Sequence, residues 1–207
     1  MLLRIAALLA LPTVASAEAV DWAAGLVTAT GVGLADRKAP NPAVARGTSR
    51  RRADEAAKKA LAVQVASLPL AGGGTLADKL GDPAIKARVD RVIDEALAVS
   101  ADPETDGAWT VALAVPTEAI RQALVGPRAL TAAGDAGPAT VVVEGVTATP
   151  AIGVTVGGIA GATVWVTRVP AWAKDAPRIK ATRATAGAID AKVGKATAST
   201  LFVLVVK

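Results

Sequence analysis

Residues 26–34 read LVTATGVGL, an alternating pattern that is typical of a β-strand. Small residues occupy one face of this strand, and the other face holds Leu26, Thr28, Thr30, Val32 and Leu34. A strand face without bulky side chains suits an element that packs close against it. The stretch therefore predicts a first strand with a closely packed neighbour.

The segment that follows predicts that neighbour. Asn41 is suited to cap a helix and Pro42 to occupy its first turn, so we expect a helix to about Ser67, with Gly47 delaying its firm start. Its apolar stripe has helical spacing and consists mainly of alanine: Ala53, Ala56, Ala57, Ala60, Leu61 and Val65. These short side chains would let the helix lie close to a sheet.

A second helix is predicted after a glycine turn. Residues 68–70 indicate a brief strand, and residues 72–74 are the turn that follows it. Asp82 and Pro83 form a cap and first-turn pair. The apolar stripe of this helix is Ile85, Val89, Val92, Ile93 and Ala96.

The turn DPETDG at 102–107 is expected to lead from this helix into a strand at 109–115. Trp109 would open the strand and pack in the core. Pro116 would end the strand, and Thr117 would cap a short third helix.

Beyond residue 125 the pattern changes to one that predicts strands. Residues 126–138 are rich in Gly, Ala and Pro and mark a boundary. Val- and Thr-rich runs follow at 140–146, 152–156, 162–169 and 197–206. The uncharged stretch 145–167 is long enough to span a membrane, but its glycines, threonines and alternating pattern favour strands.

The N-terminus has the features of a secretory signal peptide. Arg4 supplies a positive charge, residues 5–11 are apolar, and Ala-Ser-Ala at 15–17 matches the small-x-small cleavage pattern. Pro12 and the short apolar stretch argue against a membrane anchor. We expect cleavage after Ala17 and a protein of the periplasm or the exterior.

Composition excludes several kinds of site. The 207 residues contain no cysteine and no histidine, which removes disulfides, a lipid-accepting thiol, and the commonest general base and metal ligand. One Phe, four Trp and no Tyr leave few platforms for stacking sugars or bases, so we expect no nucleic-acid partner.

Charge is distributed unevenly along the chain. Residues 18–125 hold 13 basic and 14 acidic groups, whereas residues 126–207 hold 9 basic and 4 acidic groups, a net charge of +5. The second stretch would favour anionic partners such as phospholipid head groups, lipopolysaccharide or acidic wall polymers, unless the charge serves solubility alone.

Two motifs resemble ligand sites and are interpreted as structural. The Gly-Val-Gly at 31–33 begins a dinucleotide fingerprint, but Asp36 replaces its third glycine and no helix starts at once. Residues 102–106 alternate acidic groups like a calcium loop, but Leu113 stands where a carboxylate is required, which favours a helix-to-strand turn. We expect no cofactor, no metal and no catalytic residue.

Five residues are candidates for contact with a partner: Arg50, Arg51, Trp165, Arg168 and Trp172. Arg50 and Arg51 belong to a basic cluster near the start of the first helix, where Asp54 and Glu55 would neutralise them in part. Trp165 and Trp172 flank Arg168, and one of these two tryptophans is expected to be exposed.

Several segments of the first half, in their order, resemble a known family. They are GVGLADR at 31–37, RADEAAKKALAVQVASLPL at 52–70, IKARVDRVIDEALAV at 85–99 and DGAWTVALAVP at 106–116. This succession resembles the domain shared by small bacterial envelope lipoproteins and the N-terminal region of flagellar assembly protein T, over about residues 25–125. VVVEGVTATPAIGVTV at 141–156 is similar to a C-terminal extension found in some relatives.

The resemblance implies helices packed on an antiparallel sheet, export, and a role in envelope or surface-structure assembly, without catalytic residues. The chain departs from the lipoprotein members by lacking their lipid-attachment cysteine. We therefore expect an α+β protein: a signal peptide at 1–17, an envelope domain at 18–125 with two to three helices on an antiparallel sheet, a linker at 126–138, and a small β-rich unit at 139–207.

The function expected from these features is that of a non-catalytic exported envelope protein. It would be a protein-binding or structural module in cell-envelope or surface-structure assembly, flagellar assembly included, with envelope proteins or an anionic envelope surface as partners. Two alternatives stay open. One is a periplasmic hydrolase that uses two carboxylates roughly 5–9.5 Å apart, and the other is a peripheral binder of anionic membrane or wall surface.

Overall fold

The computed structural model describes residues 20–36, 38–126 and 137–207. The expected signal peptide at 1–17 and most of the expected linker at 126–138 lie outside these ranges. Within them the chain forms three α-helices and eleven strands, which confirms the α+β class. In the same ranges no helix combines the length and apolar character needed to cross a bilayer.

Four strands of the first half form an antiparallel sheet, as expected. In spatial order they are β1 (Val20–Asp21), β2 (Leu26–Gly33), β4 (Trp109–Pro116) and β3 (Leu97–Pro103). The helices are α1 (Pro42–Ala66), α2 (Pro83–Asp94) and α3 (Thr117–Val125). All three contribute buried side chains to one core with β2 and β4.

The close packing of α1 against β2 is confirmed. Ala53, Ala57 and Leu61 of α1 are fully buried against the small-residue face of the strand. At Gly33 a Cβ atom would lie 1.8 Å from the carbonyl oxygen of Ser49, so no larger residue fits there. Asn41 caps the helix as expected, because its side chain accepts a hydrogen bond from the backbone N–H of Val44.

The sequence prediction was wrong about the segment after α2. The helix ends at Asp94, so Ala96 lies outside it, and β3 follows without having been predicted. The register shifts between Ala98 and Ser100, and this bulge interrupts the alternation by which a strand is recognised. The turn at 102–107 consequently joins two strands of a hairpin, and not a helix to a strand.

Two smaller expectations also change. Pro116 stands at the N-cap of α3, and Thr117 is its first helical residue. The Thr117 hydroxyl donates to the carbonyl of Gly25 at 3.2 Å instead of capping the helix. Residues 68–70 form only isolated bridges, from Pro69 to Thr75 and from Leu70 to Ile152.

The second half is the β-rich unit that was expected, with a topology that the sequence does not predict. One sheet is entirely parallel and has the order β7 (Ala162–Val166), β11 (Leu201–Val206), β5 (Thr140–Val146) and β8 (Arg178–Lys180). The other contains β6 (Thr155–Val156), β10 (Ala188–Asp190) and β9 (Arg183–Ala184). The run at 140–146 is confirmed; the other three predicted strands are shorter than expected, and β8, β9 and β10 are additional.

Parallel pairing agrees with the composition of the central strands. Val142 and Val203 face one apolar cluster, whereas Val141 and Phe202 face another. Strands buried on both faces have continuous rather than alternating apolar residues, as in VVV at 141–143.

Backbone hydrogen bonds join the two halves. The N–H of Ala71 donates to the carbonyl of Ile152, and the N–H of Ile152 donates to the carbonyl of Pro69, each at 2.8 Å. Ile152 is also buried in the core of the first half, and Trp22 packs against the cores of both halves. These contacts bring β1 of the first sheet beside β7 of the parallel sheet.

Candidate functional site

An open cleft of about 480 Å³ lies where β1 approaches β7. Its surface is mainly apolar, with two indole rings and several aliphatic and proline side chains. The polar groups are at the positions of Asp21, Thr167 and Arg168. The lining includes Val20, Asp21, Trp22, Trp165, Arg168 and Pro170.

Trp22 is positioned by a turn that directly follows β1. The carboxylate of Asp21 accepts hydrogen bonds from the backbone N–H groups of Ala23 and Ala24, at 3.0 and 2.9 Å. An aspartate that bonds its own following backbone is a common way to fix a turn. The carbonyl of Trp22 accepts from the N–H of Trp165 at 3.0 Å, which ties this turn to β7.

The two tryptophans of the second half differ in exposure, as expected. Trp165 is 3% exposed and belongs to the core, whereas Trp172 is 60% exposed. Trp172 lies on a short 3-10 turn that begins after Pro170, a residue of the cleft wall. Trp165 therefore supports the cleft from beneath, and Trp172 is the indole that a partner could reach.

Arg168 is a charged side chain of the cleft that lacks an ion-pair partner among the described residues. Its side chain is exposed and has no ion pair or hydrogen bond with any residue that the structure describes. The opposing Asp21 carboxylate already accepts two backbone hydrogen bonds. The cleft thus offers an apolar floor with an unpaired cation at its rim.

Arg50 and Arg51 are not among the residues that line the cleft. The Arg50 guanidinium lies over the ring of Trp109, 5.2 Å from its centroid, a cation–π arrangement. Trp109 packs at the margin of the core, and not fully inside it as expected. Asp54 pairs with Lys58 at 4.0 Å and not with Arg50, while Arg51 is exposed.

A second depression contains the acidic residues of the hairpin turn. Asp36, Glu104 and Asp106 border it, together with Asn41 and Arg46. Each of the three carboxylates has a local partner: the guanidinium of Arg52, the hydroxyl of Thr110 and the N–H of Ala108. In the described ranges no three acidic groups are arranged to hold a metal ion.

Sequence reasoning missed the first wall of the cleft. Trp22 follows a strand of two residues, too short to show a period, and Asp21 is indistinguishable from a solvated charge. The tryptophans and Arg168 of the second half were identified because they are close together in the sequence.

No model of a known protein family matches the chain, and no curated protein matches it in sequence. The resemblance to the envelope lipoprotein and flagellar assembly protein T domain therefore stays a prediction.

Proposed function

We propose that the protein is a non-catalytic module of the bacterial cell envelope that binds other envelope or surface-structure proteins. The observation that supports this most strongly is the cleft at the junction of the two halves, with Trp172 exposed on the short turn that follows Pro170 of its wall. Export would follow cleavage of the expected signal peptide near Ala17, and the sequence contains no cysteine that could accept a lipid after it.

The composition of this surface favours a protein partner. Trp and Arg are the residues that most often contribute large binding energies at protein interfaces, and they do so when they are close to an apolar centre. Arg168, Trp22 and Pro170 line such a centre here, and Trp172 is exposed two residues after Pro170. Because Arg168 has no acidic partner in the described part of the chain, the complementary surface would present a carboxylate beside an apolar side chain.

A non-catalytic role agrees with the chemistry that is available. The sequence provides no histidine and no cysteine, and the carboxylates around the second depression each have a local hydrogen bond or ion pair. The alternative hydrolase would need a free pair of carboxylates within one pocket.

Cross-linking in intact cells, followed by fractionation of the envelope, tests the proposal. Wild type should form defined adducts with an envelope protein, and Trp172→Ala with Arg168→Ala should reduce their yield at least fivefold. Val63→Ala is the matched control, because Val63 is also exposed, at 68%, and does not line the cleft. Equal adduct yields from all three proteins, or no adduct from wild type, would contradict the proposal.

A further inference from the structure

A separate pocket lies at the carboxyl ends of three parallel strands, on the far side of β11 from β7. It has a volume of about 300 Å³ and is lined by Glu144, Gly145, Lys180, Ala181 and Lys207. The carboxyl edge of a parallel sheet is where such sheets most often bind ligands. The pocket shares no lining residue with the cleft between β1 and β7.

A β-bulge at Gly145 creates the space. Val205 pairs with Glu144 and Val206 pairs with Val146, so Gly145 is the additional residue in β5. Its φ of +78° lies in the left-handed region that favours glycine. A Cβ atom on Gly145 would lie 3.7 Å from Cε of Lys207, so the lysine stem runs beside a position that has no side chain.

The sheet register brings a second lysine to the same place. Lys180 pairs with Glu144 across β8 and β5, and Lys207 follows Val206 on the opposite side of β5. Lys207 lies two residues beyond Val205, which pairs with Glu144, so two strand spacings of about 4.8 Å and a rise of about 6.6 Å separate the two lysine Cα atoms by roughly 12 Å. The long, flexible stem of lysine allows both ammonium groups to meet over Gly145.

The side-chain charges of this pocket do not cancel. The carboxylate of Glu144 is paired with the guanidinium of Arg178 at 3.1 Å. Lys180 and Lys207 are both exposed, and neither has an ion pair with a residue in the described ranges. Among the side chains of this pocket, Lys180 and Lys207 are therefore left without an acidic partner.

Lysine and arginine side chains favour different anions, and this pocket offers lysines. Planar carboxylates are bound best by the two-pronged guanidinium of arginine, and Arg178 is already engaged, since its Nη1 donates to Glu144 and its Nη2 to the carbonyl of Lys174. Lysine acts as a point charge and is a common phosphate binder. A phosphate monoester carries a charge of about −1.5 to −2 at pH 7 and presents three acceptor oxygens, so two lysine ammonium groups can each donate to a different oxygen.

We propose that Lys180 and Lys207, across the bulge at Gly145, form a binding site for a phosphate monoester group. This goes beyond the proposed protein-binding role, since it concerns a different pocket and a different ligand. The phosphate can belong to a soluble phosphate ester or to a lipid head group, and the experiment separates the two sources.

The direct test is titration of the ¹⁵N-labelled protein with inorganic phosphate, at constant ionic strength maintained with chloride. We expect saturable shifts of the amide resonances of Gly145, Ala181 and Lys207. Lys180→Gln with Lys207→Gln should weaken phosphate binding at least tenfold. Lys192→Gln with Lys195→Gln should change it less than twofold; this control removes the same charge from two other exposed lysines of the same half.

Sedimentation with phosphatidylcholine vesicles that contain phosphatidic acid or phosphatidylglycerol identifies the source. A preference for phosphatidic acid that depends on Lys180 and Lys207 assigns the phosphate to a lipid head group, because only that lipid exposes a monoester. Phosphate binding without vesicle binding assigns it to a soluble ester. Shifts that do not saturate, or an equal loss in both double variants, would overturn the proposal.

Discussion

Gly31 of β2 lies directly against the backbone of Ala57 in α1. A Cβ atom on Gly31 would be only 2.1 Å from the Ala57 nitrogen and 2.2 Å from the carbonyl oxygen of Ala53. No side chain can rotate away to make room, since both obstacles are helix backbone. The helix and the sheet therefore depend on glycine at this position for their spacing.

The Gly31→Ala variant should lower the free energy of unfolding by about 3 kcal/mol, because the helix must move away from the sheet. Urea denaturation measures the change. Gly47→Ala is the control. Gly47 lies in α1, and a new Cβ there would have nothing within 4 Å, so this variant should stabilise the protein by about 0.5–1 kcal/mol. Equal effects of the two variants would refute the close packing.

Ser49 should contribute to stability through a long-range hydrogen bond. Its hydroxyl is fully buried and donates to the carbonyl of Gly107, at 2.9 Å, which joins α1 to the hairpin turn. Ser49→Ala should cost about 1–2 kcal/mol, since that carbonyl loses its donor. Ser67→Ala removes a comparable bond from an exposed hydroxyl and should cost much less. Thermal melts that shift equally would contradict this.

A buried ion pair should stabilise the junction of the halves. The Arg121 side chain is 5% exposed and binds the Glu118 carboxylate with two bonds, of 2.7 and 2.9 Å, in a small cavity that Trp22 and Ile152 also line. Arg121→Met removes two charge-assisted hydrogen bonds from the interior and should cost about 2–3 kcal/mol.

The comparison for Arg121 is a pair of similar length on the surface. Lys86 and Asp90 are 2.6 Å apart on α2, and both are exposed. Lys86→Met should cost less than about 0.5 kcal/mol. If calorimetry gives the two variants the same melting temperature, the buried pair has no special role.

Trp165 and Trp172 should respond differently to replacement. Trp165→Ala removes a core side chain and should cost about 3–5 kcal/mol. Trp172→Ala should change the unfolding free energy by less than about 0.5 kcal/mol, because the ring is exposed. A large loss of stability in Trp172→Ala would place that ring in the core and remove it from the proposed interface.

The parts of the fold that sequence predicts are those that a local pattern determines. The strand at 26–34 and the alanine-rich helix after Asn41 need only their own periodicity and a cap. β3 escapes prediction because its bulge at Val99 breaks the alternation and because Leu97 and Val99 are exposed on an edge strand.

The parallel sheet and the cleft depend on contacts between distant residues. β5 and β11 are paired although some 60 residues separate them in the sequence, and nothing in either strand specifies its partner. The cleft joins Trp22 to Arg168 across most of the chain. The sequence therefore predicts Arg168 and Trp172 as contact candidates. It does not predict that Trp22 forms the opposite wall of the cleft.

The most direct test of the protein-binding role is site-specific photo-cross-linking in living cells. Trp172 is replaced by p-benzoylphenylalanine, with Val63 replaced in the same way as the exposed control position. The proposal predicts an adduct with an envelope protein from position 172 alone, and its loss when Arg168→Ala is added. No adduct from position 172, or the same adducts from position 63, would contradict a binding surface beside the cleft.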